Sequence, residues 1–479
     1  MRKTPSSSPR EFAKIKKVWE HIGPQGTKKG GKMRVALHEH LTGKKIFFAV
    51  IAPICMMVFS SLYTLVDGVF MASFVGSDAF AGNNLVWPYF AILASPGFMF
   101  GSGGAALVGK YLGQKRDDKA NRSFSFLLLA VLVTGIVLGL IGFFTMPFYA
   151  KKMALLSDHP TQAMVDYGIT YGRILSIGMP AFMLQLFFQS FFSTAEKPYT
   201  GFLFTVVAGL ANIGLDALFM GLLGWEVEGA AIATVIGYTI AGFGPIVYFL
   251  VSKKTPIRLG KAEFDGHILA KSASNGISEL ISNVSSSILA ICYNVQLLRY
   301  IGPVGVSAYG IILYFAYTFN AVFIGYAIGV SPFIAYQFGA QNKKELRHIL
   351  KRSLCLIAII GAIMFLLSEF AGPYLSIAFA AGNEELASLA SYATRIYSFV
   401  FLFCGFSMFG SAFFTALNNG LVSGIIAVVR ALVLEMLAIF LLPLLLSVDG
   451  IWSASVFAEF GAAIMTAVLL ITERKKYGY

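Results

Sequence analysis

A chain of 479 residues in which 57% are hydrophobic and only 13% charged, with 48 Gly and 44 Phe, is not an ordinary soluble domain; this is the profile of a polytopic membrane protein. Its mean hydropathy is +0.73. The net charge of +13 does not call for nucleic acid, because the basic residues are spread over many short connections and form no single basic domain.

The first 44 residues, with "TPSSSPREFAKIKKVWEHIGPQGTKKGGK", carry Pro, Ser, Gly and Lys and little apolar content. They read as a basic tail, largely disordered or lying against anionic headgroups, with a short amphipathic turn around Phe12 to Trp19. The first apolar run starts too late and is too long for a cleavable signal peptide.

A helix needs about 20 residues to cross a hydrocarbon core of about 30 Å. Apolar stretches of that kind recur at 46–74, 84–109, 123–149, 163–194, 199–223, 229–251, 274–300, 305–335, 353–372, 386–416, 420–447 and 450–472, which makes twelve. The runs are continuous rather than alternating, so helices are expected and a barrel is not. Pro53, Pro88, Pro96, Pro180, Pro245 and Pro332 fall within or near the ends of these helices and should kink them.

The connections alternate in charge. "KYLGQKRDDKANR", "SKKTPIRLGKAEFDGHILAK", "GAQNKKELRHILKR" and the terminal "ERKKYGY" are basic, whereas "VGSDAFAG", "LGWEVEG", "AAGNEEL" and "SVDG" are neutral or acidic. Lys and Arg stay on the cytoplasmic side, so both termini are expected there.

The chain repeats itself. "VGKYLGQKRDDKANRSF" corresponds to "IAYQFGAQNKKELRHIL" with Gly113 against Gly339; "GRILSIGMPAFMLQLFFQSFFSTA" corresponds to "TRIYSFVFLFCGFSMFGSAFFTAL" with Arg173 against Arg395; "WEVEGAAIAT" corresponds to "LSVDGIWSAS" with Gly229 against Gly450, all at an offset of 221 to 226 residues. Six helices plus six is the natural division: an all-α integral membrane fold of two pseudo-symmetric six-helix lobes around a central cleft. The expected parts are the tail 1–44, an N-terminal lobe 45–251, an inter-lobe linker 252–273, a C-terminal lobe 274–472 and a tail 473–479. Because six is even, the repeats are parallel, and rocking of one lobe against the other is the expected motion.

Asp67 lies near the end of some twenty otherwise apolar residues, and an acid at the membrane centre costs about 2.5–3.5 kcal/mol or more. Asn212 and Asp216 are spaced i,i+4, on one face of the fifth helix, and Thr234 lies about two turns into the sixth. Asp67, Asn212, Asp216 and Thr234 are thus expected to converge in the outer half of the N-terminal lobe. Two close carboxylates cannot readily both ionise, so the group should hold a proton or a small hard cation.

In the other half, Glu279, Glu435 and Glu459 are the embedded acids, and Arg430 is placed to pair with Glu435 on the same helix. These four are candidates for coupling or for lining the cleft. Tyr293, Tyr309, Tyr314 and Tyr317 could offer aromatic faces to a flat organic cation. Cys55, Cys292, Cys355 and Cys404 lie inside the spans with no C-x-x-C spacing and read as small packing residues. The six His, at 21, 38, 40, 159, 267 and 348, fall in the tail or connections, so no metal cluster is expected and a membrane enzyme is disfavoured.

The sequence resembles the multidrug and toxic-compound extrusion (MATE) transporters, in the bacterial branch with the DinF-like and MepA-like proteins. The resemblance covers roughly 45–472 and rests on "LYTLVDGVFMASFVGSDAFAG", "ANIGLDALFMGLLGWEVEGAAIATVIG", "GVSPFIAYQFGAQN" and "RALVLEMLAIFLLPLLLSVDGIWSAS". It implies efflux of organic, amphipathic and cationic compounds in exchange for H⁺ or Na⁺, with the coupling ion at Asp67, Asn212, Asp216 and Thr234. No cofactor and no catalytic residue is expected. The partners implied are small organic substrates and membrane lipids, and the chain should act as a monomer in the bacterial cytoplasmic membrane. Some members carry a further acid in the tenth helix; residues 386–416 have none beyond the outer end. A flippase for a lipid-linked saccharide or peptidoglycan precursor is the alternative, and it would want several basic residues in the cleft, where only Arg173, Arg395 and Arg430 are embedded.

Overall fold

The computed structural model describes residues 35–155, 161–252, 255–380 and 383–479, and it is built from α-helices throughout. The N-terminal half comprises α1 (Gly43–Phe74), α2 (Ser77–Gly113), α3 (Asp117–Ala154), α4 (Gln162–Ile177), α5 (Met179–Thr194), α6 (Pro198–Asp216) with a π-helical continuation (Ala217–Leu222), and α7 (Val227–Val251). The C-terminal half comprises α8 (Gly266–Tyr300), α9 (Pro303–Gly339), α10 (Lys343–Phe379), α11 (Glu384–Ser398), α12 (Val400–Ala416), α13 (Gly420–Val428) with a π-helical turn (Val429–Leu434), α14 (Glu435–Leu446) and α15 (Val448–Thr472), followed by the short α16 (Arg474–Tyr477). Ten spans are continuous. The fourth and tenth are broken pairs, bent by 61° between α4 and α5 and by 48° between α11 and α12, so each half supplies six.

The bend after Ile177 has a covalent cause, since Pro180 lacks the N–H that would continue the ladder. The matching bend in the second half has no proline. There the Ser398 hydroxyl, 2.5 Å from Glu369 Oε1 and 2.7 Å from Arg395 O, shares its one proton between a neighbouring helix and its own backbone at the bend. Apolar residues such as Phe144, Phe148, Leu366 and Phe370 are exposed along the outer helices, as a lipid-facing surface requires.

The two halves repeat one another in their backbone. Positive φ angles occur in matched pairs: Gly76 with Gly302, Lys115 with Gln341, Glu196 with Asn418, and Gly224 with Ser447. Each lies at a helix end, and the non-glycine members accept a positive φ where the helix must stop at once. The internal repeat seen in composition is therefore a repeat of turns, and the fold is two pseudo-symmetric lobes.

The lobes meet closely in the half of the bundle that carries residues 35–42 and the C-terminal residues, termed here the proximal face. Gly113 sits against the Tyr336 carbonyl, and its repeat partner Gly339 sits against the Lys110 carbonyl, with no room for a Cβ at either. Gly276 packs in the same way on Met99. Close backbone approach through small residues is how membrane helices gain packing energy. Asn418 adds a polar tie, donating to Ala106 O across the seam at 3.3 Å.

Some boundaries differ from expectation. Helix α8 begins at Gly266, capped by Asp265 accepting from His267 N, so part of the basic 252–273 segment is already helix. This extension moves Glu279 from the end of its span to well inside it. Residues 258–260 of that segment lie along α3, with Arg258 N donating to Asn121 Oδ1 and Gly260 N to Ser125 Oγ, each at 2.8 Å. Residues 35–42 belong to the expected tail yet are docked, with Leu37 and Leu41 buried. The amphipathic turn around Phe12 to Trp19 lies outside the described residues.

Candidate functional site

Asp67 lies seven residues before the distal end of α1, about 10 Å from it at 1.5 Å per residue. Asn212 and Asp216 occupy the last turn of α6, and the helix widens into its π-helical turn directly after Asp216. Thr234 lies two turns into α7. All four side chains are buried. Asn212 Nδ2 donates to Thr234 Oγ1 at 3.4 Å, and the carboxyl groups of Asp67 and Asp216 lie within electrostatic reach of each other.

The oxygens at this point have few donors. Asp67 Oδ1, Asn212 Oδ1 and both carboxylate oxygens of Asp216 are buried without a hydrogen-bond partner among the described residues. Orphaned buried acceptors are costly, and several turned to one place create a demand for a proton or a cation. The π-helical turn serves the same end: it offsets the regular ladder beside Asp216, a distortion that often marks functional positions. A small cavity lined by Tyr63, Ala208, Asn212, Thr234, Gly237 and Tyr238 opens next to the group.

Tyr171 on α4 completes the cluster. It is buried, and its hydroxyl lies within electrostatic reach of Asp67 and next to Thr234. No motif or spacing marked it in the sequence, because its role depends on how α4 packs against α1 and α7.

The C-terminal lobe holds a different polar cluster. Ser455 Oγ donates to Glu435 Oε1 at 2.7 Å, and the Tyr293 hydroxyl is 2.7 Å from Ser455 Oγ and 3.4 Å from Glu435 Oε1. Ser455 stands at the repeat position of Thr234, at the same offset as Gly229 and Gly450, so the repeat could have identified it. Arg430 does not pair with Glu435. Its Nε donates to Glu459 Oε1 at 2.7 Å, and Ser407 Oγ donates to Glu459 Oε2 at 2.6 Å. Arg430 and Glu435 are five residues apart, a spacing outside the i,i+3 and i,i+4 pairs that meet on a helix face, and the partner Arg430 finds is Glu459 on α15. Glu279 is half-buried on α8, within electrostatic reach of Arg430.

The tyrosines separate into two kinds. Tyr293 and Tyr309 stack at 4.7 Å between centroids inside the C-terminal lobe, where both are buried. Tyr314 stacks on Phe379 at 5.7 Å. Tyr317 is 62% exposed yet sits within electrostatic reach of Tyr63 of the other lobe, as a residue on the wall of a cleft does.

Comparison with known proteins agrees with this architecture. The MatE family model matches residues 53–218 and 280–441, more than half of the chain and one match in each lobe. The chain is 24% identical over 425 residues to the "Multidrug export protein MepA" of Staphylococcus haemolyticus, covering 88% of this chain and 92% of that one. It is 26% identical over 434 residues to the "Probable multidrug resistance protein YoeA" of Bacillus subtilis, covering 88% and 90%. Among solved structures, a MATE protein in complex with MaL6 superposes with a TM-score of 0.84 at 20% identity, over 94% of this chain and all of that one. The "outward-facing conformation of a multidrug resistance MATE family transporter of the MOP superfamily" gives 0.83, also at 20% identity and over 94% of this chain and 100% of the other. With matches in both lobes and bacterial relatives aligned along nearly their whole length, the chain belongs to the MatE family, in its bacterial branch.

Proposed function

We propose that this protein is a secondary antiporter that exports organic, amphipathic cations in exchange for H⁺ or Na⁺. The observation that carries the reading is the buried group formed by Asp67, Asn212, Asp216 and Thr234, in which Asp67 Oδ1, Asn212 Oδ1 and both Asp216 oxygens have no donor among the described residues. A permanent salt bridge would have neutralised such acids. Left without one, the pair is suited to an exchangeable positive charge, either a proton shared between carboxyls or a small cation with Asn212 and Thr234 as neutral oxygen ligands.

The cycle follows from the position of the site. It lies in the distal half of one lobe, while the lobes are closed against one another proximally. With the chain ends in the cytoplasm, the cation site lies on the outer side of that closure. Cation entry satisfies the orphan oxygens and favours repacking of α1 against α4, α6 and α7, which changes the wall that α1 offers to the cleft. A drug held there is released outward; after the lobes rock, the ion leaves inward. The names of the MepA and YoeA relatives support drug export as the activity.

A lipid-linked precursor has less support as cargo, since its pyrophosphate would want free cations in the cleft. Arg430 is committed to Glu459, Arg173 lies over the Phe143 ring at 5.2 Å, and Arg395 is an exposed residue near the bend after α11. The test is uptake of a panel of cationic dyes into inverted membrane vesicles under imposed H⁺ or Na⁺ gradients. Gradient-dependent accumulation of dyes is the expected result; none under either gradient would overturn the reading.

A further inference from the structure

Outside the membrane site, three side chains that can ligate a metal meet at the proximal face. His40 comes from the segment before α1, and Glu345 and His348 come from the first turns of α10; one ligand atom from each lies within 4.8 Å of the other two. His40 Nδ1 is 2.5 Å from Glu345 Oε2, and the rings of His40 and His348 meet edge to face with centroids 5.4 Å apart. Glu345 is held in place: its other oxygen accepts from Leu41 N at 2.8 Å, and its own N–H donates to the Asn342 cap at 3.2 Å. The Glu345 side chain is only 7% exposed, whereas that of His40 is 51% exposed and free to adjust.

The segment bearing His40 is a strap between the lobes. Leu37 N donates to Glu196 Oε1 of the N-terminal lobe at 2.8 Å, and Leu37 O accepts from Gln337 Nε2 of the C-terminal lobe at 3.1 Å. Arg352 donates to the Leu41 carbonyl. Leu37 and Leu41 are buried beneath it.

We propose that His40, Glu345 and His348 bind a divalent transition cation of the Zn²⁺ class, and that its binding clamps the 35–42 strap onto α10 and holds the proximal face closed. Two imidazoles and one carboxylate suit Zn²⁺, which takes N and O ligands at about 2.0–2.2 Å and keeps a fourth position for water in three-ligand sites. Ligand atoms on one such ion stand about 3.3 Å apart. Small turns of the two exposed imidazoles reach that spacing from the present one, with the ion replacing the His40–Glu345 contact. Mg²⁺ is a poor fit, because it prefers an octahedron of oxygens. The strap also holds Glu196, so fixing it to α10 resists separation of the lobes at this face.

The test is Zn²⁺ titration of the purified full chain in nanodiscs by calorimetry, with hydrogen exchange read over residues 35–42. The expected result is one Zn²⁺ per chain, not displaced by excess Mg²⁺, with affinity reduced more than about tenfold in the His40→Ala/His348→Ala double variant. Zn²⁺ should slow exchange over 35–42 in the wild type and not in the double variant. Glu345→Gln, which keeps an acceptor for Leu41 N, should lose Zn²⁺ affinity while its metal-free melting temperature stays near wild type. Equal Zn²⁺ affinity in the wild type and both variants, or unchanged strap exchange on saturation, would overturn the proposal.

Discussion

Arg430 and Glu459 form a buried ion pair between the π-helical turn at 429–434 and α15, with Nε and Oε1 2.7 Å apart and side-chain exposures of 20% and 7%. Removing one member of such a pair leaves the other charged and unpaired, at a cost of about 3–5 kcal/mol. Arg430→Leu and Glu459→Leu should therefore each lower thermal stability markedly in detergent, whereas the double variant should be more stable than either single one. Additive losses in the double variant would show that packing, and not charge pairing, is the role of these residues.

Asp67 and Asp216 should behave as one unit. Asp67→Asn and Asp216→Asn are each expected to reduce gradient-driven export by more than about tenfold, and the double variant to lose little more, because either change destroys the same shared site. Insertion and folding should persist, since an amide in place of a buried acid removes a desolvation cost. The measurement is dye export in vesicles at matched protein abundance. Export at wild-type rates in either single variant would make the acids structural.

A cross-link at the proximal seam should arrest the cycle. A Cβ placed on Gly109 would lie 3.0 Å from Ala335 Cβ across the lobe boundary, near the roughly 3.8 Å of a disulfide. In a background without the four native cysteines, Gly109→Cys/Ala335→Cys is expected to lose transport when oxidised and recover it on reduction. Full transport in a quantitatively oxidised sample would rule out separation of the lobes at this face.

Truncation of the tail should show a sharp boundary. Removing residues 1–34 is expected to leave melting temperature and transport near wild type. Removal through Leu41 deletes the buried Leu37 and Leu41 side chains, each contributing about 1.5–3 kcal/mol, together with the contacts to Glu196, Gln337 and Glu345. That variant should melt at a clearly lower temperature; equal melting of the two truncations would show that the strap contributes nothing to the proximal face.

What the sequence alone determines here is what depends on solvent and on covalent spacing. A bilayer demands continuous apolar runs, so the number of spans and the all-helical class were legible, and the repeat offset exposed two lobes whose matched turns the structure confirms. Convergence of Asp67 with Asn212, Asp216 and Thr234 was legible too, because depth along a helix can be counted from its end. Tertiary structure decided the rest. The choice of Glu459 over Glu435 as partner to Arg430 depends on how α15 packs against the helix that carries Arg430, and Tyr171 joins the acids only through the packing of α4. His40 and His348 look like solvated loop residues in the linear chain. They meet at Glu345 because the strap crosses the proximal face to reach α10, a contact between residues some 300 positions apart that only the folded chain can make.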